Sequence, residues 1–106
     1  MSKLPEQRNQ LVYEPSDSQK QALGVMLFHA LLEIRVLGWE GHSQQAADLA
    51  DAFHNLPILM YSSKFDWSFF RNFLLTYQTK YSGTTGRLYD YVAELNEIEK
   101  LAGKKL

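Results

Sequence analysis

The sequence has no cysteine, which excludes a disulfide framework, a thiol nucleophile and any cysteine-based zinc or iron-sulfur site. Proline and glycine are scarce, three and six residues in 106, too few for a low-complexity chain. A charge surplus is also missing, because eleven Lys and Arg stand against twelve Asp and Glu for a net charge of −1. Without a basic excess the general attraction to nucleic acid or anionic lipid is absent, so neither is expected as a partner. No segment alternates apolar and polar residues over the length of a half-buried strand, and no Asn-Gly or Asp-Gly pair marks a hairpin. The polar opening from Met1 to Arg8 has no apolar run of the signal-peptide kind, so a cytoplasmic protein is expected.

What is present is apolar. Hydrophobic residues make up 45% of the chain and aromatics 13%, enough for one modest core, while the length leaves no room for a second domain. The periodicity predicts an all-α bundle of four main helices at about 17–37, 43–55, 66–82 and 86–102, with a short helical turn near 58–61. Residues 1–15, polar and holding Pro5 and Pro15, read as an extended arm, and residues 16–106 as a single helical domain. Connections this short predict antiparallel neighbours.

The most apolar stretch is Ala22 to Leu37, interrupted only by His29, Glu33 and Arg35 among ionisable residues. At about 100° per residue its apolar side chains spread around the whole circumference, the pattern of a central buried helix. Its sixteen residues fall short of the roughly 20 apolar residues that a membrane span needs. Gly24 lies one turn in, where glycine costs roughly 1 kcal/mol against alanine, so a close helix crossing is expected there. Ser16 or Asp17 can cap the start, and Gly38 and Gly41 bracket the end around Trp39.

In the second helix, capped by Ser43, Ala46, Leu49, Ala50 and Phe53 form the inner stripe while Asp48 and Asp51 fall on the far side. It should stop near Asn55, because Leu56 precedes Pro57 and that position disfavours helix. Asp66 caps the third helix, whose apolar stripe is Phe69, Phe70, Phe73, Tyr77 and Tyr81, supported by Trp67 and Leu74. Leu88, Tyr91, Val92, Leu95, Ile98 and Ala102 make the stripe of the last, with Gly103 as its stop signal.

Four features could carry function. His29 and Glu33, four residues apart on one helix face, could meet Asp51 and His54 of the second helix in a divalent-metal or hydrolytic site, the way bundle metal sites are built. Against this, Asp51 points away from the inner stripe, so an internal polar pair is the simpler reading of His29 and Glu33. The link Ser82 to Gly86 could hold an anion on exposed N–H groups, although glycine and threonine as caps explain it equally. Charge is unevenly laid out: between Arg35 and Lys64 the charged residues are Glu40, Asp48 and Asp51, whereas 64–87 holds Lys64, Arg71, Lys80 and Arg87 against Asp66. Finally, Leu56 to Tyr61 is an apolar run at a helix break, and Ile58, Met60 and Tyr61 exposed beside the acidic helix would form an apolar centre with a charged rim.

The segment Ala46 to Pro57 resembles a stretch found in small bacterial helical proteins, some of them regarded as immunity proteins for polymorphic toxins. The resemblance implies a non-enzymatic binder that blocks a basic toxin through an acidic face. The expectation is therefore a protein-binding module without cofactor, contacting its partner through Glu40, Asp48, Asp51, Ile58, Met60 and Tyr61. A homo-oligomer, packed through the aromatic face of the third helix or Leu75, is a further alternative.

Overall fold

The computed structural model describes residues 12–83 and 89–104, with side chains as far as Leu101. Its helices are α1 (Asp17–Trp39), α2 (Ser43–Phe53), the single turn α3 (Leu56–Leu59), α4 (Trp67–Tyr81) and α5 (Tyr91–Lys104). Among the described residues there is no strand, only an isolated bridge between Val12 and Asp66. The all-α bundle expected from the periodicity is the fold.

Local chemistry sets most boundaries. Ser16 caps α1 in a reciprocal box: its hydroxyl accepts from Gln19 N–H and the Gln19 side chain accepts from Ser16 N–H at 2.9 Å. Asp66 caps α4 by accepting from Phe69 N–H at 2.9 Å. Asp90 does the same for α5, taking Ala93 N–H at 3.0 Å, so that helix begins at Tyr91 and not at 86. Residues 84–88, which include most of the proposed anion-binding link, lie outside the described residues. Ser43 is the first residue of α2 and makes no capping bond, and α5 continues through Gly103 to Lys104.

Side-chain contacts show antiparallel packing along three seams. Along the α1–α5 seam, Gln19 Nε2 donates to Ile98 O at 3.3 Å near one end, and Tyr91 donates to Glu33 near the other. Between α2 and α4, Asp51, Ala52 and Asn55 sit beside Phe69, Phe70 and Phe73, while Asp48 meets Lys80 and Tyr81. Between α4 and α5, Arg71 reaches Asn96 and Glu99, and Gln78 reaches Asp90 and Val92. Helices α1 and α4 each pack on α2 and α5, which puts them at opposite corners of the bundle.

The core is built from Leu23, Met26, Ala30, Leu37, Leu49, Phe53, Leu56, Phe65, Trp67, Phe70, Leu74, Tyr77, Tyr91, Leu95 and Ile98. Aromatic rings fill its centre, with Phe53 edge-on to Phe70 at 5.6 Å and to Tyr91 at 5.2 Å. The inner end of the arm belongs to the same body: Tyr13 N–H donates to Phe65 O at 3.0 Å, and the Tyr13 and Trp67 rings are 5.2 Å apart. The outer arm, residues 1–11, lies outside the described residues.

Three expectations need correction. Helix α1 is not buried all round, since Val25, Phe28, Leu31, Leu32 and Trp39 are 43–70% exposed. Only the face holding Leu23, Met26, Ala30 and Leu37 is closed over, because a corner helix of four has two neighbours and leaves its outer side open. Among the described residues nothing crosses Gly24, where an added Cβ would meet no atom within 4 Å. In α4 the buried stripe is Trp67, Phe70, Leu74 and Tyr77, which leaves Phe69 and Phe73 outside it, 65% and 40% exposed.

Extended to 23 residues, α1 has the length and mean hydropathy, 1.5 over its most apolar window, of a membrane span, although only 22% of that window is buried. Its inner face is nevertheless built against α2 and α5, which carry Asp48, Glu94, Glu97, Glu99 and Lys100, and a bilayer around α1 would have to take in those charges.

Candidate functional site

His29 and Glu33 do not meet Asp51 and His54. Both face α5: His29 Nδ1 lies 3.6 Å from Glu94 Oε2, and Glu33 Oε1 accepts the Tyr91 hydroxyl at 2.5 Å. His54 sits exposed at the end of α2 with Nδ1 3.1 Å from the Asp51 carbonyl, and the Asp51 side chain is exposed as well. Among the described residues no three His, Asp or Glu side chains are gathered as metal ligands would be. The metal site is therefore not formed, and the reason is rotational: the face of α1 that carries His29 and Glu33 turns toward α5, while Asp51 and His54 of α2 point outward.

A cavity of about 300 Å³ lies beside this seam, walled by Leu32, Val36, Leu37 and Tyr89, with His29, Glu33 and Glu40 along it. Glu94 bonds the Tyr89 hydroxyl, and burial followed by that bond raises the phenol above its ordinary pKa. The Tyr91 phenol is pushed far higher, first by burial and then by its bond to Glu33. These are protons held in place, the behaviour of an internal polar seam.

The acidic face does not form as one surface. Asp48 is half-buried and turned into the α2–α4 seam, where it accepts from Lys80 at 2.9 Å, from Gln44 at 3.0 Å and from the Tyr81 hydroxyl. The Tyr81 bond first, then Lys80, holds its carboxyl below the ordinary range. Glu40 lines the cavity beside α1 and Tyr89. Met60 is buried, because α3 turns its side chain into the core, while Ile58 and Tyr61 are exposed at 74% and 63%. Lys20 Nζ stands 4.8 Å over the Tyr61 ring, so that residue faces the N-terminus of α1.

What the chain does bring together is a groove of about 250 Å³ between the end of α2, α3 and the first half of α4. Its floor is Ala52, Leu56, Phe65 and Phe70, all buried core residues. Leu59, Phe69 and Phe73 stand along it, each at least 40% exposed, with the two phenylalanine rings edge to face at 6.3 Å. Asp51, Asn55, Lys64 and Asp66 supply polar groups to its lining. Of the residues expected to touch a partner, only Asp51 lines it. The aromatic spacing of α4 predicts Phe69 and Phe73 on its buried stripe, and the structure leaves both outside it. The signal that separates them was Trp67, since a tryptophan at the first position of α4 fixes which side turns inward and rotates Phe69 and Phe73 off it.

No protein-family model matches the sequence, and no curated protein or solved structure matches it either.

Proposed function

We propose that the chain is a non-enzymatic protein-binding module and that the groove between α2, α3 and α4 is its contact surface. The observation that carries this reading is the pairing of Phe69 and Phe73 at the surface, over a floor that is already core and beside polar groups at the margin. Large aromatics at the surface next to a preformed apolar floor are the composition of interface centres. An occupant that covered them would bury apolar area at little conformational cost, because the floor is fixed by the bundle.

The partner fitted to this surface is a protein segment with apolar side chains for the groove and a basic residue for Asp51. Asp48 adds little, since Lys80 and Tyr81 already engage it. The segment 46–57, which resembles proteins regarded as toxin immunity proteins, supplies Ala52 and Leu56 to the floor of the groove and Asp51 and Asn55 to its polar lining. That supports an immunity-type role in the cytoplasm, in which a basic partner is blocked by complementarity.

The test is calorimetric titration of the full chain with a partner recovered from its native host and then purified. Phe69→Asp is expected to weaken binding at least tenfold, about 1.4 kcal/mol, while Leu75→Asp, exposed on another side of α4, leaves it unchanged. Equal effects from the two substitutions would remove the groove from the interface.

A further inference from the structure

The outer face of α1 is a second apolar surface, at the corner of the bundle opposite α4. Its residues follow a three-four spacing: Gln21, Val25, Phe28, Leu32, Arg35 and Trp39. This is the repeat of a helix seam that packs against another helix. Among the described residues no helix covers this face, since Val25 is 48%, Phe28 59%, Leu32 43% and Trp39 70% exposed. A seam that accommodates one arginine among apolar positions fixes the register of whatever pairs with it.

We propose that a second copy of this chain covers the seam, with the two α1 helices antiparallel about a two-fold axis at Phe28. The charges on this face select that occupant. Asp17 stands at its first turn and Arg35 near its last, and both are exposed. Antiparallel self-pairing carries each to the other's end. With Phe28 on the axis, Val25 faces Leu31 of the other copy, Gln21 faces Arg35, and Asp17 faces Trp39, on whose ring Arg35 is stacked at 3.9 Å. Asp17 then meets the Arg35 guanidinium twice per dimer, and the helix dipoles run in opposite directions.

The same register puts Leu32 of the second copy over Gly24. A glycine one turn into a helix costs roughly 1 kcal/mol relative to alanine, and among the described residues an added Cβ there would meet no atom of another element within 4 Å. A leucine of the facing helix uses that space. The contact is isologous and closes on itself, so it yields a dimer and not a filament. It leaves the groove at α4 free, and its truth or failure is independent of the proposed function.

Two measurements on the full chain test it. The first is mass by light scattering and sedimentation at about 100 μM, the concentration range suited to an interface below the standard size. The wild type is expected as a dimer and Phe28→Glu as a monomer that melts where the wild type melts once diluted below its dissociation range. Arg35→Asp and Asp17→Arg should each weaken the dimer about tenfold, and the double swap should restore it. The second uses the absence of cysteine: Phe28→Cys should crosslink to itself through a short bismaleimide, and Leu75→Cys should not. A monomeric wild type overturns the proposal. So does a double swap no better than its single variants, which would mean that Asp17 and Arg35 do not meet. A wild type that remains monomeric but floats with neutral phosphatidylcholine vesicles in a Phe28-dependent way would also overturn it, and would assign the face to lipid.

Discussion

The Tyr91 hydroxyl donates to Glu33 Oε1 at 2.5 Å, which fastens α5 to α1 where the Tyr91 ring also packs edge-on against Phe53 of α2. One residue thus joins three helices, with its polar end on a carboxylate and its ring in the core. Replacing Tyr91 by phenylalanine keeps the ring and removes the donor. Urea unfolding should show a loss of about 1.5–3 kcal/mol with an unchanged denaturant slope, the range for a hydrogen bond to a charged group.

Asp48 should give the chain an acid-sensitive seam. Its carboxyl titrates below the ordinary value of 3.8 because Tyr81 and Lys80 bond it. The stabilisation is therefore complete above that value and is lost as pH falls through the lower folded-state value. Urea midpoints followed downward from about pH 6 should fall more steeply for the wild type than for Asp48→Asn, which has no carboxyl to protonate.

Alkali should act through buried phenols. Burial lifts Tyr77 to about 12 from an ordinary 10, and Tyr91 is lifted further. Stability is fully present below the ordinary value and lost as pH rises through the folded-state value, since only the unfolded chain ionises readily. Tyrosinate absorbance and circular dichroism recorded together should show the last phenolic phase coinciding with loss of helicity. Tyr77→Phe should reduce that phase.

Gln19 is fully buried and carries three bonds, to Ser16 N–H, to the Tyr13 hydroxyl at 3.4 Å and to Ile98 O. Gln19→Ala should cost about 1–3 kcal/mol, through the open cap and the carbonyl deprived of this donor. Ser18→Ala, on the exposed side of the same turn, should stay within about 0.5 kcal/mol.

Helix existence and order were legible because the signals were local. Pro57, Asp66 and the spacing of Leu49 and Phe53 each specify backbone conformation within a few residues. The sequence was less informative about rotation. Ala22 to Leu37 is apolar at every angle, so periodicity could not tell the buried side, with Leu23 and Ala30, from the open side, with Phe28 and Leu31. The same ambiguity assigned Phe69 and Phe73 to the core. Gln19 and Gln45 were invisible as interior residues because their partners, the Ile98 carbonyl and the Tyr77 hydroxyl, are 79 and 32 residues away in sequence. The acidic surface is broken for a related reason: Asp48 has its cation, Lys80, 32 residues away, and the two pair at the surface edge of the α2–α4 seam.

The most direct measurement of the binding surface is site-specific photo-crosslinking in the native host, with a photoreactive phenylalanine analogue at residue 69 or 73 and, in parallel, at residue 75. The groove reading predicts one protein crosslinked from both 69 and 73 and not from 75, with the same contacts reproduced by the purified pair. No crosslink from 69 and 73, or an equal yield from 75, would contradict it.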